Sequence, residues 1–269
     1  MKKIILSSFC VLLILSCRDE KPDAIPVEPI NEKVVEVDLS KYPERFQEVL
    51  LSHGGLNNWK KMQSLTYTIP SDIGDEVQTI DLVSRKVLVE TDNYKMGSDG
   101  REIWIQQDSA FFNPERVEFY HNLMFYFYAM PFVLADDGIN YAETDPLVME
   151  GKTYPGMKVS YDANVGTSPE DEYLLFMDPE TKNMAWLGYT VTYGKNEKSE
   201  RYNFIKYDQW QEVNGLQLPA QMVWYNVKDG KPTTPSGSPR TFVNVDIDEA
   251  PMDAALYSRP ASAMLIEKQ

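Results

Sequence analysis

Cysteine and histidine are nearly absent from this chain of 269 residues, with two of each. Cys10 lies inside the first apolar run, so once that run is removed only Cys17 remains. That leaves no disulfide and no cysteine nucleophile in the folded part. His53 and His121, without spaced cysteines or an HExxH pattern, make no zinc site, and the ordered spacing of a calcium-binding EF-hand loop is missing too. No G-x-S-x-G elbow is present, so serine-hydrolase chemistry lacks its nucleophile turn. Beyond residue 16 no uncharged stretch approaches the ~20 apolar residues of a membrane-crossing helix. A basic surplus is also missing. With 26 Lys and Arg against 41 Asp and Glu the net charge is −15, which removes the electrostatic footprint of a nucleic-acid partner.

What is present begins with a leader. Lys2 and Lys3 precede the apolar run Ile4 to Leu15, and the small Ser16 stands directly before Cys17, the three zones of a signal peptide. Ile14-Leu15-Ser16-Cys17 resembles the lipobox read by prolipoprotein-processing enzymes. The resemblance implies a diacylglycerol thioether on Cys17, cleavage before it and acylation of the new amino terminus. The expectation is therefore a signal peptide over residues 1–16, a covalent lipid on Cys17 and no other cofactor. The membrane is reached through lipid and not through a span. Each buried methylene contributes ~0.8 kcal/mol and stable anchoring takes more than one chain. The chemistry on Cys17 supplies two or three.

Residues 17–39 carry Pro22, Pro26 and Pro29 among charges and few large apolar groups, and read as a disordered tether. Arg18-Asp19-Glu20 resembles the export signal of surface lipoproteins in Bacteroidota. The expected address is the outer membrane, lipid-anchored, facing the periplasm or the surface, with the surface favoured.

Residues 40–269 are expected to form a single β-rich domain. Ser40 and Pro43 open an amphipathic helix whose Phe46, Val49, Leu50 and His53 share a face, and Gly54-Gly55 stops it. Leu56, Trp59 and Met62 continue onto the same core. After Gln63 the pattern changes to period-two runs: Leu65-Tyr67-Ile69, Val87-Val89, Ile103-Ile105, Leu174-Phe176, Tyr189-Val191-Tyr193 and Val243-Val245-Ile247. Hairpin signals separate them at Asp99-Gly100, Glu150-Gly151, Asn214-Gly215 and Asp229-Gly230, with a turn at Asp178-Pro179-Glu180-Thr181. This predicts an antiparallel meander of about nine to twelve strands, with Thr233 to Pro239 as a polar loop. The exception is Asn113 to Gly138. Asn113 caps, Pro114 takes the first helical position, and the residues after it are apolar on nearly every side, which predicts a helix buried against the sheet and broken at Pro131.

The candidate chemistry is sparse. His53 reads as a helix-end residue bonding the last carbonyls or packing beside Trp59, and His121 as a satisfied core residue. Ser168 and Asp171 read as a turn bonding nearby amides. Asp136-Asp137 and Glu170-Asp171-Glu172 are carboxylate pairs of the kind an acidic chain carries anyway, so no catalytic residue is assigned. Aromatic residues are the stronger signal. Phe119, Leu123, Tyr126, Met130 and Val133 would form one face of the central helix, with Trp104 and Trp224 as candidate facing residues from the sheet. Phe119, Leu123, Tyr126, Met130, Trp104 and Trp224 are thus the candidate lining of a ligand site, since Phe and Met build adaptable apolar pockets.

The stretches His53-Gly54-Gly55-Leu56-Asn57-Asn58-Trp59, Phe119-Tyr120-His121-Asn122 through Ala129-Met130-Pro131-Phe132-Val133-Leu134-Ala135-Asp136, and Ser168-Pro169 through Asp178-Pro179-Glu180-Thr181 resemble a family of Bacteroidota lipoproteins with no assigned activity. The layout of an N-terminal helix, a long meander and an inserted aromatic helix is similar to that of the periplasmic lipoprotein carriers LolA and LolB. That resemblance implies an incompletely closed β-barrel whose concave apolar face, covered by helices, holds acyl chains. The function expected is a non-enzymatic envelope lipoprotein that binds or carries a lipophilic molecule. An adaptor with a filled core, helping an envelope complex of unknown protein partners, stands second, and an enzyme acting on lipid or glycan third.

Overall fold

The computed structural model describes residues 36–162, 168–195 and 197–267. The signal peptide, Cys17 and nearly all of the expected tether lie outside the described residues. Glu36–Gln269 forms one compact unit. Packing starts earlier than Ser40: Val37 and Leu39 lie against the core, and the Val37 amide donates to Asn57 Oδ1 at 2.6 Å.

A 3-10 turn, Leu39–Lys41, is capped by Asp38, whose carboxylate accepts the Ser40 amide. Helix α1 (Glu44–Ser52) starts after Pro43 and buries Phe46, Val49 and Leu50 completely, each worth roughly 1.5–3 kcal/mol. Gly54 and Gly55 end it with φ of +100° and +87°. A Cβ on Gly54 would stand 2.1 Å from the Gly215 carbonyl oxygen, so only glycine fits between α1 and the strands it meets. Helix α2 (Leu56–Lys61) then buries Leu56 and Trp59.

The body is mainly β. One antiparallel run holds β1 (Ser64–Ile69), β2 (Glu76–Asp81), β3 (Val87–Glu90), β4 (Tyr94–Ser98) and β5 (Ile103–Gln107). Helices α3 (Val117–Tyr120) and α4 (Leu123–Tyr128) come next. The second run holds β6 (Ile139–Met149), β7 (Lys152–Tyr161), β8 (Tyr173–Met177), β9 (Met184–Tyr189), β10 (Asn203–Val213), β11 (Leu216–Lys228) and β12 (Lys231–Pro235). The chain then returns. β13 (Arg240–Thr241) pairs with β11, β14 (Val243–Asp248) pairs with β1, and only the buried Phe242 separates them. The two sheets are thereby stitched at one corner into a curled antiparallel half-barrel. β15 (Met264–Ile266) closes the other end of the first sheet against β5.

The expected hairpins are where the turn residues put them, with Glu150-Gly151, Asn214-Gly215 and Asp229-Gly230 all at positive φ. Three expectations at strand level need correction. The structure has fifteen strands among the described residues rather than nine to twelve, because short returns such as β13 and β15 carry no turn signal of their own. Val191 and Tyr193 fall beyond the end of β9, and Thr233 to Pro235 belong to β12 rather than to a loop.

The inserted segment is likewise not one helix. Asn113 caps as expected, accepting the Glu115 amide at 3.1 Å, but the chain then runs through a 3-10 turn (Pro114–Arg116), α3, α4 and a second 3-10 turn (Phe132–Ala135). His121 and Asn122 interrupt it. The broken path lets the segment track the curvature of the sheet, burying Phe125, Tyr128, Phe132 and Leu134 in the main core.

His53 is held by strands and not by its own helix. Its Nε2 accepts the Met184 amide at 3.1 Å, which places the proton on Nδ1 to donate to the Gln217 carbonyl at 3.0 Å. The ring packs edge-on against Trp210, while Trp59 stacks on Phe132 at 4.7 Å. A second buried polar group is Glu76, which accepts from Tyr94, Tyr120 and Gln78 and so joins β2, β4 and α3.

Candidate functional site

A cavity of about 310 Å³ opens between the aromatic segment and the start of the second sheet. The helical side contributes Phe119, Leu123, Tyr126, Phe127 and Val133. The sheet side contributes Ile139, Tyr161 and Tyr173. Register explains why those three face inward together. Ile139 pairs with Tyr161, and Val159, two residues earlier on the same face of β7, pairs with Tyr173. Val159 is fully buried in the core, so its neighbours point the same way. The Tyr161 and Tyr173 rings meet edge to face at 5.9 Å, and Phe119 lies 5.2 Å from Tyr193.

Carboxylates stand at this cavity as well. Asp136 accepts from Arg85 Nη2 at 2.8 and 3.0 Å, yet burial raises its pKa above the ordinary aspartate value against that attraction. Asp171 accepts the Thr192 amide at 2.7 Å and its hydroxyl at 2.8 Å, and burial raises its pKa too. Tyr126, Tyr161 and Tyr173 are pushed upward by burial, so their hydroxyls stay protonated donors.

Of the six residues proposed from the sequence, the cavity gathers Phe119, Leu123 and Tyr126. Met130 is in the main core, 1% exposed. Trp224 packs against Phe127 and donates its indole N–H to the Tyr189 hydroxyl at 3.0 Å, outside the cavity lining. Trp104 lies on the opposite face of its sheet, with Leu88, Tyr257 and Ala263, donating to the Tyr257 carbonyl at 3.1 Å. The reason is the pleat: Ile103 and Ile105 face the main core, so the residue between them faces away. Gly97, its cross-strand partner, leaves room for the indole.

Sequence reasoning does not reach Tyr161, Tyr173 or Asp171 as parts of a site. The first two sit at strand ends whose pairing no local pattern fixes. The expected turn forms, the Asp171 amide donating to the Ser168 carbonyl at 3.0 Å, but among the described residues the Asp171 carboxylate accepts from Thr192 across the sheet. His121 is buried, its Nδ1 2.7 Å from the Glu118 carbonyl.

Two other grooves are larger but polar. One of about 460 Å³ is lined by Glu44, Arg45, Glu48 and Glu143, and one of about 630 Å³ by Asp72, Glu76, Asn93 and Arg240. Among the described residues the first has one ring, Tyr141, and the second two, Tyr94 and Tyr120, against six around the smaller cavity. Among the described residues no helix is long and apolar enough to cross a membrane.

Comparison with solved structures finds similarity to a LolA superfamily protein of Nitrosomonas europaea, 8% identical with a TM-score of 0.44, covering 79% of this chain and 97% of that one. A DUF1329 family protein of Desulfovibrio piger is 11% identical with a TM-score of 0.43, covering 77% and 97%. A domain from Vibrio parahaemolyticus named for outer membrane lipoprotein sorting is 6% identical with a TM-score of 0.40, covering 76% and 97%. No curated protein matches the sequence. Residues 2–235 match the sequence profile of a family of unknown function, DUF6503, and the chain belongs to that family.

Proposed function

We propose that this protein is an envelope lipoprotein, lipidated at Cys17 and held at the outer membrane, whose β domain binds a lipophilic molecule in the cavity under the aromatic segment. The observation that supports this is the cavity itself. Its volume of about 310 Å³ lies within the range of small-molecule sites, roughly 300–1,000 Å³, and its walls are rings and branched aliphatics with a few polar groups among them. The Cys17 anchor would keep such a binder beside a bilayer, and Arg18-Asp19-Glu20 favours the cell surface as its address.

Native mass spectrometry with lipid extraction on the purified full chain tests the reading. Tyr126→Asp should abolish co-purified lipid, because it replaces a ring of the wall that would hold the apolar body with a carboxylate that must keep its water, while Tyr126→Leu should be mild. Absence of any ligand, no uptake of a neutral environment-sensitive dye such as Nile red, and only a stability loss in Tyr126→Asp would overturn it. The adaptor reading would then take its place. Its own support is that the concave face elsewhere is packed solid by Tyr128, Phe132 and Leu134, each fully buried.

A further inference from the structure

The charges around the cavity say which end of an amphiphile it would accept. Its lining includes three carboxylates, Asp136, Asp137 and Asp171, and among the described residues no lysine, arginine or histidine. Asp136 is offset by Arg85, which approaches from the turn between β2 and β3, with Lys60 further off. Asp137 is fully exposed, its nearest cation Lys41 Nζ at 3.9 Å. Asp171 is different. It is partly buried, and its close partners are Thr192 and Thr190, neutral groups that orient the carboxylate without neutralising it. Beneath Tyr193 at the same wall lies another carboxylate, Glu118, which accepts the Tyr193 hydroxyl at 2.8 Å.

The rings add to this bias. Phe119, Tyr126, Phe127, Tyr161 and Tyr173 surround the space, and the negative face of an aromatic ring attracts a cation, most strongly where water is displaced. An anionic head would meet carboxylates and aromatic rings, with only neutral donors such as Asn122, Ser168 and the tyrosine hydroxyls in the described lining, since Arg85, which reaches toward Tyr126, is engaged by Asp136. A cationic head would meet both kinds of partner at once.

We propose that the cavity selects amphiphiles carrying a protonated or quaternary amine on an apolar body, and discriminates against fatty-acid anions. This rests on the lipophilic-ligand reading above and specifies its ligand class. Asp171 is the charge that sets the preference, the aromatic walls hold the apolar body, and Asp136 with Arg85 forms a balanced pair at the rim.

The test uses isothermal titration of the full chain at low ionic strength with octyltrimethylammonium, octanol and octanoate. The cation should bind on the order of tenfold more tightly than octanoate, with octanol between. Asp171→Asn keeps an oxygen that accepts from Thr192 and removes the charge. It should erase most of that ratio while leaving octanol affinity within about twofold. Asp246→Asn, an exposed change on β14, should leave the ratio intact, which separates the cavity from the general acidity of the surface. Octanoate binding as tightly as the cation, or a ratio untouched by Asp171→Asn, overturns the charge selection while the lipophilic-ligand reading stands. Failure of all three probes to bind overturns both. Should Asp171→Asn fold poorly, displacement of Nile red from the wild-type cavity decides: the cation should displace the dye at a roughly tenfold lower concentration than octanoate, and equal displacement overturns the charge selection.

Discussion

His53 makes the stability of the domain sensitive to mild acid. Its ring is fully buried, both nitrogens are committed to Gln217 and Met184, and Nε2 must remain an acceptor for the Met184 amide. Burial lowers its pKa from 6.5 to about 4. Above pH 6.5 neither the folded nor the unfolded chain carries this proton, and the site is neutral with respect to pH. Between about pH 6.5 and 4 the unfolded chain takes a proton that the folded one refuses, so stability falls as pH falls. The whole gap is worth about 3 kcal/mol, of which about 2 kcal/mol is lost by pH 5. Asp136 and Asp171 act in the opposite sense, because their raised pKa values let the folded chain bind protons first. Comparison with His53→Gln removes that background, since both chains share it. Urea unfolding at pH 7 and pH 5 should show the wild type losing about 2 kcal/mol more than the variant between the two conditions. At pH 7 the variant should already be weaker by roughly 1–3 kcal/mol, having lost the ring packed against Trp210. Equal losses in the two chains would refute the reasoning, for they would mean that the folded protein accommodates a charged ring.

Gly54→Ala should destabilise by at least about 2 kcal/mol in the same assay, from positive φ together with a backbone clash, whereas Gly100→Ala, at φ +89° in open space, should cost about 1 kcal/mol. Phe132→Ala, which removes a fully buried ring stacked on Trp59, should cost roughly 3–5 kcal/mol by urea midpoint. Cys17→Ala should end incorporation of an acyl-chain analogue in growing cells, and continued labelling would show that the lipid sits elsewhere or that the leader is processed differently.

Periodicity locates most of the strands and turn dipeptides locate the hairpins, because both signals act within a few residues of chain. The first helix is legible for the same reason: Phe46, Val49 and Leu50 share one face and meet the core. Trp104 carries a legible signal that its aromatic character overrides. Ile103 and Ile105 already define the inward face, so the pleat alone sends Trp104 outward. The aromatic segment shows the opposite case. Its apolar character on every side announces burial correctly, but a pattern without a polar face gives no helical phase, and the break at His121 and Asn122 cannot be read from it.

The sequence by itself determined the strand-rich body, its turns, the capped start of the aromatic segment and three residues of the candidate site, Phe119, Leu123 and Tyr126. All of these depend on spacing along one stretch of chain. Only the tertiary structure decided the other wall of the cavity. Tyr161 and Tyr173 come together because β6, β7 and β8 pair in one particular register, Asp171 takes its place through Thr192 some twenty residues away, and His53 finds both its partners on strands more than a hundred residues later. Such contacts are set by how a curled sheet closes on its plug, and the pairing energies that choose that closure are spread over the whole domain, so no single segment carries a record of them.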